Sequence, residues 1–175
     1  MKYAYFAASL PSLVFSGPPS MTMERFLGLC RQHLAPADFE ALDALLTDRP
    51  SEARFVVEWR TRETQLRNAV ARARAARLGV EARPWQKDHP GWDVALERAA
   101  MDAMGRATPL ERELELDRVR WGVAEELARF RPFDLEAILV YALHLRIAER
   151  WDRMNADEGR RRLDELVAAA APARQ

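Results

Sequence analysis

The stretch from Glu52 to Leu78 contains neither glycine nor proline, and alanine and arginine are abundant in it. Glycine and proline disfavour the interior of a helix, whereas alanine and arginine favour it. Gly79 follows directly, and glycine commonly adopts the left-handed conformation that ends a helix. The sequence therefore predicts one helix of about seven turns near residues 52–78.

Shorter helices are predicted on both sides of this segment. Apolar residues recur at helical spacing over residues 22–34, 36–46, 93–104, 109–130 and 134–154, and a last helix is expected from residue 155. Thr108 to Glu111 forms a capping box with proline at the first helical position. These patterns predict an all-α fold, with about seven helices in one compact, bundle-like domain over residues 1–175.

Three other segments carry signals for irregular structure. Residues 1–17 imitate a short secretory signal, but Pro11 interrupts the apolar run and the flanking residues do not fit a cleavage site. We therefore expect residues 1–20 to form an extended arm packed on the core. Residues 79–92 are rich in proline, glycine and polar residues, which predicts a loop pinned to the core by Trp85 and Trp92. Residues 171–175 are expected to be a flexible tail.

The charge balance limits the classes of partner. Lysine plus arginine equals aspartate plus glutamate at 27 each, so no general positive field attracts nucleic acid or an anionic membrane. No apolar run is long enough to predict a transmembrane helix. Cys30 is the single cysteine and lies on a predicted buried helix face, so no disulfide can form within the chain. These features indicate a cytoplasmic protein.

The long predicted helix carries arginines at heptad spacing on one stripe, and two tryptophans follow in the loop. Such residues often anchor protein interfaces, so a docking surface for an acidic protein partner is one interpretation. A solvated helix face is the other, and phosphate binding is less favoured because the overall charge is balanced. The candidate partner-binding residues are Arg60, Arg67, Arg74, Arg77, Trp85 and Trp92.

The apolar stripe of the long helix predicts a buried ion pair. It includes Phe55, Trp59, Leu66, Val70 and Ala73, and Arg62 and Glu63 fall within it and should be partly buried. In the helix from residue 109, Asp117 occupies a position where the helical period calls for an apolar residue. An unpaired buried charge would cost several kcal/mol. We therefore expect Asp117 to meet an arginine, with Arg62 or Arg67 as the first candidates.

No catalytic residues are predicted. Glu111 and Glu115 are one helical turn apart, as are Glu113 and Asp117, but the pairs alternate with arginines and leucines, and no histidine follows a glutamate by three residues. His144 fits a satisfied core position better than a ligand position. Glycine-rich phosphate loops, nucleophile elbows and zinc-ligand spacings are also missing from the sequence. We expect a protein without enzymatic activity, metal or cofactor.

Several segments resemble a bacterial family of unknown function that is encoded within V-type ATPase operons. The resemblance is carried by the N-terminal Met1 to Pro11, by Pro18-Pro19 and Phe26 to Cys30, and by helical segments further along. Those segments are Leu66-Arg67-Asn68, Pro109 to Asp117, Arg120-Trp121 and Phe133-Asp134 through Glu149-Arg150-Trp151. Some of them are also similar to parts of the central-stalk component of V/A-type ATPases that is known as C or d. That component is a helical funnel that joins the rotor shaft to the membrane ring.

The resemblance implies a non-catalytic structural or assembly subunit of a V-type ion-translocating ATPase. Its partners would be other ATPase subunits of the stalk or membrane ring, and it would reach the inner face of the plasma membrane only through them. A freestanding helical protein–protein adaptor, which could be a homodimer, is the alternative. A nucleic-acid-binding module that uses the arginine stripe is a weaker one.

Overall fold

The computed structural model describes residues 2–154, and this part of the chain contains helices and no β-strand. The helices are α1 (Ala4–Ser9), α2 (Met23–His33), α3 (Pro36–Thr47), α4 (Arg54–Leu78), α5 (Val94–Met104), α6 (Pro109–Ala128) and α7 (Leu135–Arg153). A short 3-10 turn, Arg83–Trp85, interrupts the loop between α4 and α5. The predicted all-α fold is confirmed. The helix expected from residue 155 and the tail at 171–175 lie outside the described residues.

The helix ends follow from local chemistry. The Thr108 hydroxyl accepts a hydrogen bond from the Glu111 amide at 3.1 Å, and the Glu111 carboxylate accepts one from the Thr108 amide at 3.0 Å. This is the predicted capping box at the start of α6. At the end of α4, Gly79 has a φ of +66°, and the amide of Val80 donates to the carbonyl of Ala75 at 3.1 Å. Glycine adopts this left-handed conformation at low cost.

The N-terminal segment differs from the extended arm predicted for residues 1–20. Residues 4–9 form α1, because alanine favours a helix even over a short span. Leu10 is extended, since the residue before proline disfavours the helical conformation. Tyr3 and Phe6 are buried, so the segment does pack on the core. The Tyr3 hydroxyl is hydrogen-bonded to Asp38 and accepts from the Ala35 amide at 3.1 Å.

Two hydrophobic cores lie along α4. The first core joins α1, α2, α3, the first part of α4, the end of α6 and α7, and the second joins the later part of α4 to α5 and the earlier part of α6. The largest buried side chains of the first core include Phe26, Leu42, Phe55, Trp59, Ile138, Leu139, Leu143 and Leu145. The second core contains Leu66, Ala69, Val70, Ala73, Leu96, Ala100, Ala103, Met104 and Leu116. The predicted apolar stripe of the long helix therefore faces both cores.

Over residues 2–154, no helix is both long enough and apolar enough to cross a lipid bilayer.

Candidate partner-binding cleft

Charged side chains from α4, α6 and α7 meet where one core gives way to the other. On α4 they lie between Trp59 and Leu66, and on α6 between Leu116 and Ala124. We refer to them, together with the charged neighbours they pair with, as the ion-pair network. Its members are Glu63 and Arg67 of α4, Glu113, Asp117 and Arg120 of α6, and Arg150 of α7.

Asp117 is the centre of the network and is 1% exposed. One carboxylate oxygen accepts a hydrogen bond from Arg120 at 2.8 Å. The other accepts from the Arg150 guanidinium at 2.9 Å and from the Trp151 indole N–H at 3.0 Å. Buried carboxylates are tolerated when both charge and hydrogen-bonding capacity are met in this way. Asp117 therefore ties α6 to α7.

Glu63 connects α4 to the network in a similar way. Its carboxylate accepts two hydrogen bonds from Arg120, at 3.0 and 3.2 Å, and one from Arg67 at 2.8 Å. At the other end of the network, Arg150 also donates to Glu113 at 3.0 Å. A continuous chain of alternating charges therefore joins the three helices.

The predicted partners of Asp117 were wrong. Arg62 pairs with Asp93 at the start of α5, and Arg67 pairs with Glu63 one turn earlier on α4. Arg120 fulfils the predicted role because it lies one turn after Asp117 on the same helix, and helical neighbours at this spacing can pair. That spacing is visible in the sequence. No local pattern indicates Arg150, since its contact with Asp117 depends on how α7 packs on α6.

The loop between α4 and α5 is held by side-chain amides. Asn68 of α4 donates to the Lys87 carbonyl at 2.7 Å and accepts from the Lys87 amide at 3.0 Å. Gln65 makes the same pair of bonds with Asp93, at 2.6 and 3.0 Å. Both side chains are buried. These side-chain amides therefore fix the loop backbone to α4.

Trp85 and Trp92 are not pinned to the core as predicted. They are 63% and 58% exposed, because Asn68 and Gln65 fix the loop backbone and leave the indoles outside. The Arg72 guanidinium lies 5.4 Å from the centre of the Trp92 ring, a distance at which a cation and an aromatic face attract each other. Both tryptophans are accessible to a partner.

A cleft of about 600 Å³ opens beside the network, bounded by α3, α4, α6, α7 and the loop. Seven basic and four acidic side chains line it, so positive charge is in excess by three. The basic residues are Arg60, Arg67, Lys87, Arg120, Arg146, Arg150 and Arg153, and the acidic ones are Asp48, Glu63, Glu113 and Asp117. The local charge thus departs from the overall neutrality of the chain.

A second groove of about 490 Å³ adjoins the cleft and shares Arg67, Trp85, Glu113 and Arg120 with it. Its remaining lining is largely apolar and comes from the second half of α4, from Val80 in the loop and from Leu116 of α6. Cleft and groove together form a single concave surface.

The structure brings four of the six candidate partner-binding residues to this surface. Arg60, Arg67 and Trp85 line the cleft, and Arg74 lines the groove. Arg77 lines neither, because its guanidinium donates to the Met104 carbonyl at the end of α5. Trp92 also lines neither. That these residues bind a partner stays a prediction.

Sequence reasoning did not single out Arg146. It is a solvent-accessible residue of α7 within the cleft. The surrounding protein displaces water from the guanidinium and lowers its pKa; the charges of Arg120 and Arg67 lower it further, and the Glu63 carboxylate offsets part of this effect. Among the described residues, no carboxylate lies within 4 Å of it. No local sequence pattern distinguishes an arginine that lacks an ion pair among residues 2–154 from one that has such a pair.

Two buried titratable groups lie apart from the cleft. Cys30 is fully buried in the first core, and burial raises the pKa of its thiol to about 12. His144 stacks on the Trp121 ring, with ring centres 3.5 Å apart, and its Nε2 is 3.2 Å from the Trp121 carbonyl. Burial lowers the pKa of His144 to about 4. Its position in the core agrees with the sequence interpretation.

Across residues 2–154, no three histidine, cysteine, aspartate or glutamate side chains are grouped so that they could hold a metal ion. No curated protein and no solved structure matches the chain. Residues 96–171, which include Glu113, Asp117, Arg120 and Arg150 of the ion-pair network, match an uncharacterised family described as "Protein of unknown function (DUF2764)".

Proposed function

We propose that this protein is a non-catalytic structural or assembly subunit of a V-type ion-translocating ATPase, similar in role to the funnel-shaped component of the central stalk. It would dock on other ATPase subunits through the concave surface formed by the cleft and the groove. It would contact the membrane only through those partners, on the cytoplasmic side.

The ion-pair network is the observation that carries this proposal. Four of the segments that carry the resemblance to ATPase-associated proteins are far apart in sequence: Leu66-Arg67-Asn68, Glu115-Leu116-Asp117, Arg120-Trp121 and Glu149-Arg150-Trp151. In the fold, Arg67, Asp117, Arg120 and Arg150 belong to one network, Trp151 donates to Asp117, and Asn68 fixes the adjoining loop. These four segments therefore meet in a single structural unit, whereas the N-terminal segments of the resemblance pack in the first core.

This unit suits a protein that transmits force by contact. Charge-assisted hydrogen bonds connect α4, α6 and α7 side by side, and such bonds are stronger and more directional than neutral ones. A load applied to the exposed face of α4 would be shared with α6 and α7. No chemical step is required for such a role.

A freestanding adaptor is the second candidate, and exposed apolar residues favour it. Leu78, Val80 and Trp85 are 76%, 47% and 63% exposed and line the groove. Exposed apolar groups that lie together often mark protein interfaces. A homodimer formed through the groove would bury them without any ATPase subunit.

The decisive experiment is recovery of the tagged protein from its native cells in mild detergent, with partners identified by mass spectrometry. We expect V-type ATPase stalk and ring subunits in fixed proportion. Trp85→Ala should reduce the recovery of these subunits several-fold. Phe130→Ala is the control, because the Phe130 side chain is 90% exposed and lines neither the cleft nor the groove. This control variant should recover as much of the subunits as the wild type does.

Other outcomes would refute the ATPase assignment. Recovery of unrelated proteins, or a stable dimer of this chain in analytical ultracentrifugation with no ATPase subunit bound, would support the adaptor. Recovery dominated by nucleic acid, falling steeply as salt increases, would support the nucleic-acid-binding alternative.

A further inference from the structure

Arg146 lies in a setting that favours an incoming anion. Arg67 and Arg120 direct their charges at the same region, and both are already paired with Glu63. Arg146 has no carboxylate within 4 Å in the part of the chain that the structure describes. A negatively charged group placed beside it would relieve repulsion between like charges and gain hydrogen bonds from a guanidinium.

The chemistry of the cleft favours a carboxylate over a phosphate. Backbone amides at the start of a helix are one common element of phosphate sites. The residues that line this cleft lie inside helices, near helix ends or in the loop, and none lies in the first turn of an α-helix. Within the network, the arginines of the cleft bind carboxylates already. The same geometry is available for one more carboxylate from outside.

The apolar groove beside the cleft indicates the kind of molecule that carries this carboxylate. The groove shares Arg67, Trp85 and Arg120 with the cleft and continues along α4 to Leu78 and Val80. A helix that places acidic and apolar side chains on neighbouring faces could occupy both at once, as amphipathic helices do in hydrophobic grooves. The excess of three positive charges in the cleft complements such a helix.

We propose that the cleft binds an acidic amphipathic helix of a partner protein, with a glutamate or aspartate of that helix pairing with Arg146 and its apolar side chains entering the groove. This inference rests on the proposed docking function and adds the chemistry of the partner. Arg146 binds the partner and makes no ion pair with any other residue of 2–154.

The test is a fluorescence-anisotropy titration of the full chain with a labelled, alanine-based helical peptide. The peptide carries glutamates at i and i+4 on one face and leucines on the next face, and a matched peptide carries glutamine in place of each glutamate. We expect the glutamate peptide to bind at least tenfold more tightly than the glutamine peptide.

Arg146→Gln should weaken binding of the glutamate peptide at least tenfold. Arg98→Gln is the matched control, because Arg98 is an exposed arginine of α5 that lines neither the cleft nor the groove. It should leave the affinity unchanged. Thermal unfolding of both variants should resemble that of the wild type, since Arg146 has no ion pair among residues 2–154 whose loss would destabilise the fold. Equal affinity of Arg146→Gln and wild type would overturn the inference.

Competition distinguishes the chemical classes of ligand. The labelled peptide is displaced with inorganic phosphate, with a single-stranded oligonucleotide or with the unlabelled glutamate peptide. If phosphate or the oligonucleotide displaces it at a lower concentration than the glutamate peptide does, the inference is also overturned. If Arg146→Gln loses the peptide but wild-type protein recovers no ATPase subunit from cells, the cleft stands and the ATPase assignment fails. If the peptide does not bind but ATPase subunits are recovered, the ATPase assignment stands and the proposed binding of an acidic helix in the cleft is refuted.

Discussion

Replacing Asp117 with asparagine would remove the central negative charge of the ion-pair network and keep nearly the same side-chain volume. The carboxylate is 1% exposed and accepts hydrogen bonds from Arg120, Arg150 and Trp151. Removing one partner of a buried ion pair typically costs about 3–5 kcal/mol. Here the cost is reduced, because Arg120 and Arg150 keep Glu63 and Glu113 as partners.

The Arg150 side chain is also 38% exposed, so water screens part of the lost interaction. A further effect increases the cost of the substitution, because the asparagine NH2 group must face a hydrogen-bond donor, either an arginine or the indole N–H. We therefore expect Asp117→Asn to lower the free energy of unfolding by about 2–3 kcal/mol. For a chain of this size each kcal/mol shifts Tm by roughly 2–4 °C, so the expected fall in Tm is about 4–12 °C.

Urea denaturation followed by circular dichroism measures the change. Glu115→Gln is the matched control, since it removes a carboxylate two residues earlier on α6 whose partners, Arg118 and Arg106, are 55% and 54% exposed. Exposed pairs contribute about 0–1 kcal/mol, so this variant should lose less than about 1 kcal/mol. A loss below about 0.5 kcal/mol for Asp117→Asn, or equal losses in the two variants, would refute the claim that the buried network stabilises the fold.

Three further results are expected. The Cys30 thiol, buried and with its pKa raised to about 12, should react with a thiol reagent only when the protein unfolds, and reaction in native buffer would contradict its burial. The pKa of His144 is lower in the folded state, about 4, than the unfolded value of 6.5. The contribution of His144 to the free energy of unfolding is therefore complete above pH 6.5 and is lost as the pH falls towards 4, by up to about 3 kcal/mol. Urea denaturation at pH values from 7 to 4 should show this loss of stability. The loss should be smaller in the His144→Gln variant. Gly79→Ala should destabilise the fold by about 1 kcal/mol, because the φ of +66° is unfavourable for alanine even though no atom obstructs a Cβ. Gly28 lies inside α2 with equally open space around it, so Gly28→Ala should stabilise the fold by about 0.5–1 kcal/mol. Thermal unfolding of the two variants measures both changes.

Local signals were sufficient to locate most of the helices. The run from residue 52 to 78 became α4, which starts two residues late because the Ser51 hydroxyl accepts from the Ala53 amide at 3.2 Å. Gly79 and the capping box at Thr108 marked the ends correctly, because these depend on a few adjacent residues. The segment at residues 4–9 was misjudged, because its apolar and small residues fit an extended arm or a helix equally well until Phe6 packs on the core.

The candidate site was less accessible to sequence reasoning. The burial of Asp117 follows from helical periodicity, and its pairing with Arg120 follows from a spacing of three residues. Arg150 and Arg146 lie one turn apart on α7, yet the first is paired twice and the second has no ion pair in the described part of the chain. That difference depends on the rotation of α7 against α6, which no local pattern specifies.

The contacts between α6 and α7 also show how the ion-pair network favours one packing arrangement of these two helices. A slip of α7 by one turn, about 5.4 Å, would bring either Met154 or Arg146 to the place that Arg150 holds beside Asp117. The first slip leaves the buried carboxylate short of a cation, which is costly. The second slip restores a cation, but it replaces Trp151, whose indole donates to Asp117 at 3.0 Å, with Ile147, which has no donor. Arg150 and Trp151 together therefore disfavour both slips, while Arg146 remains exposed on α7.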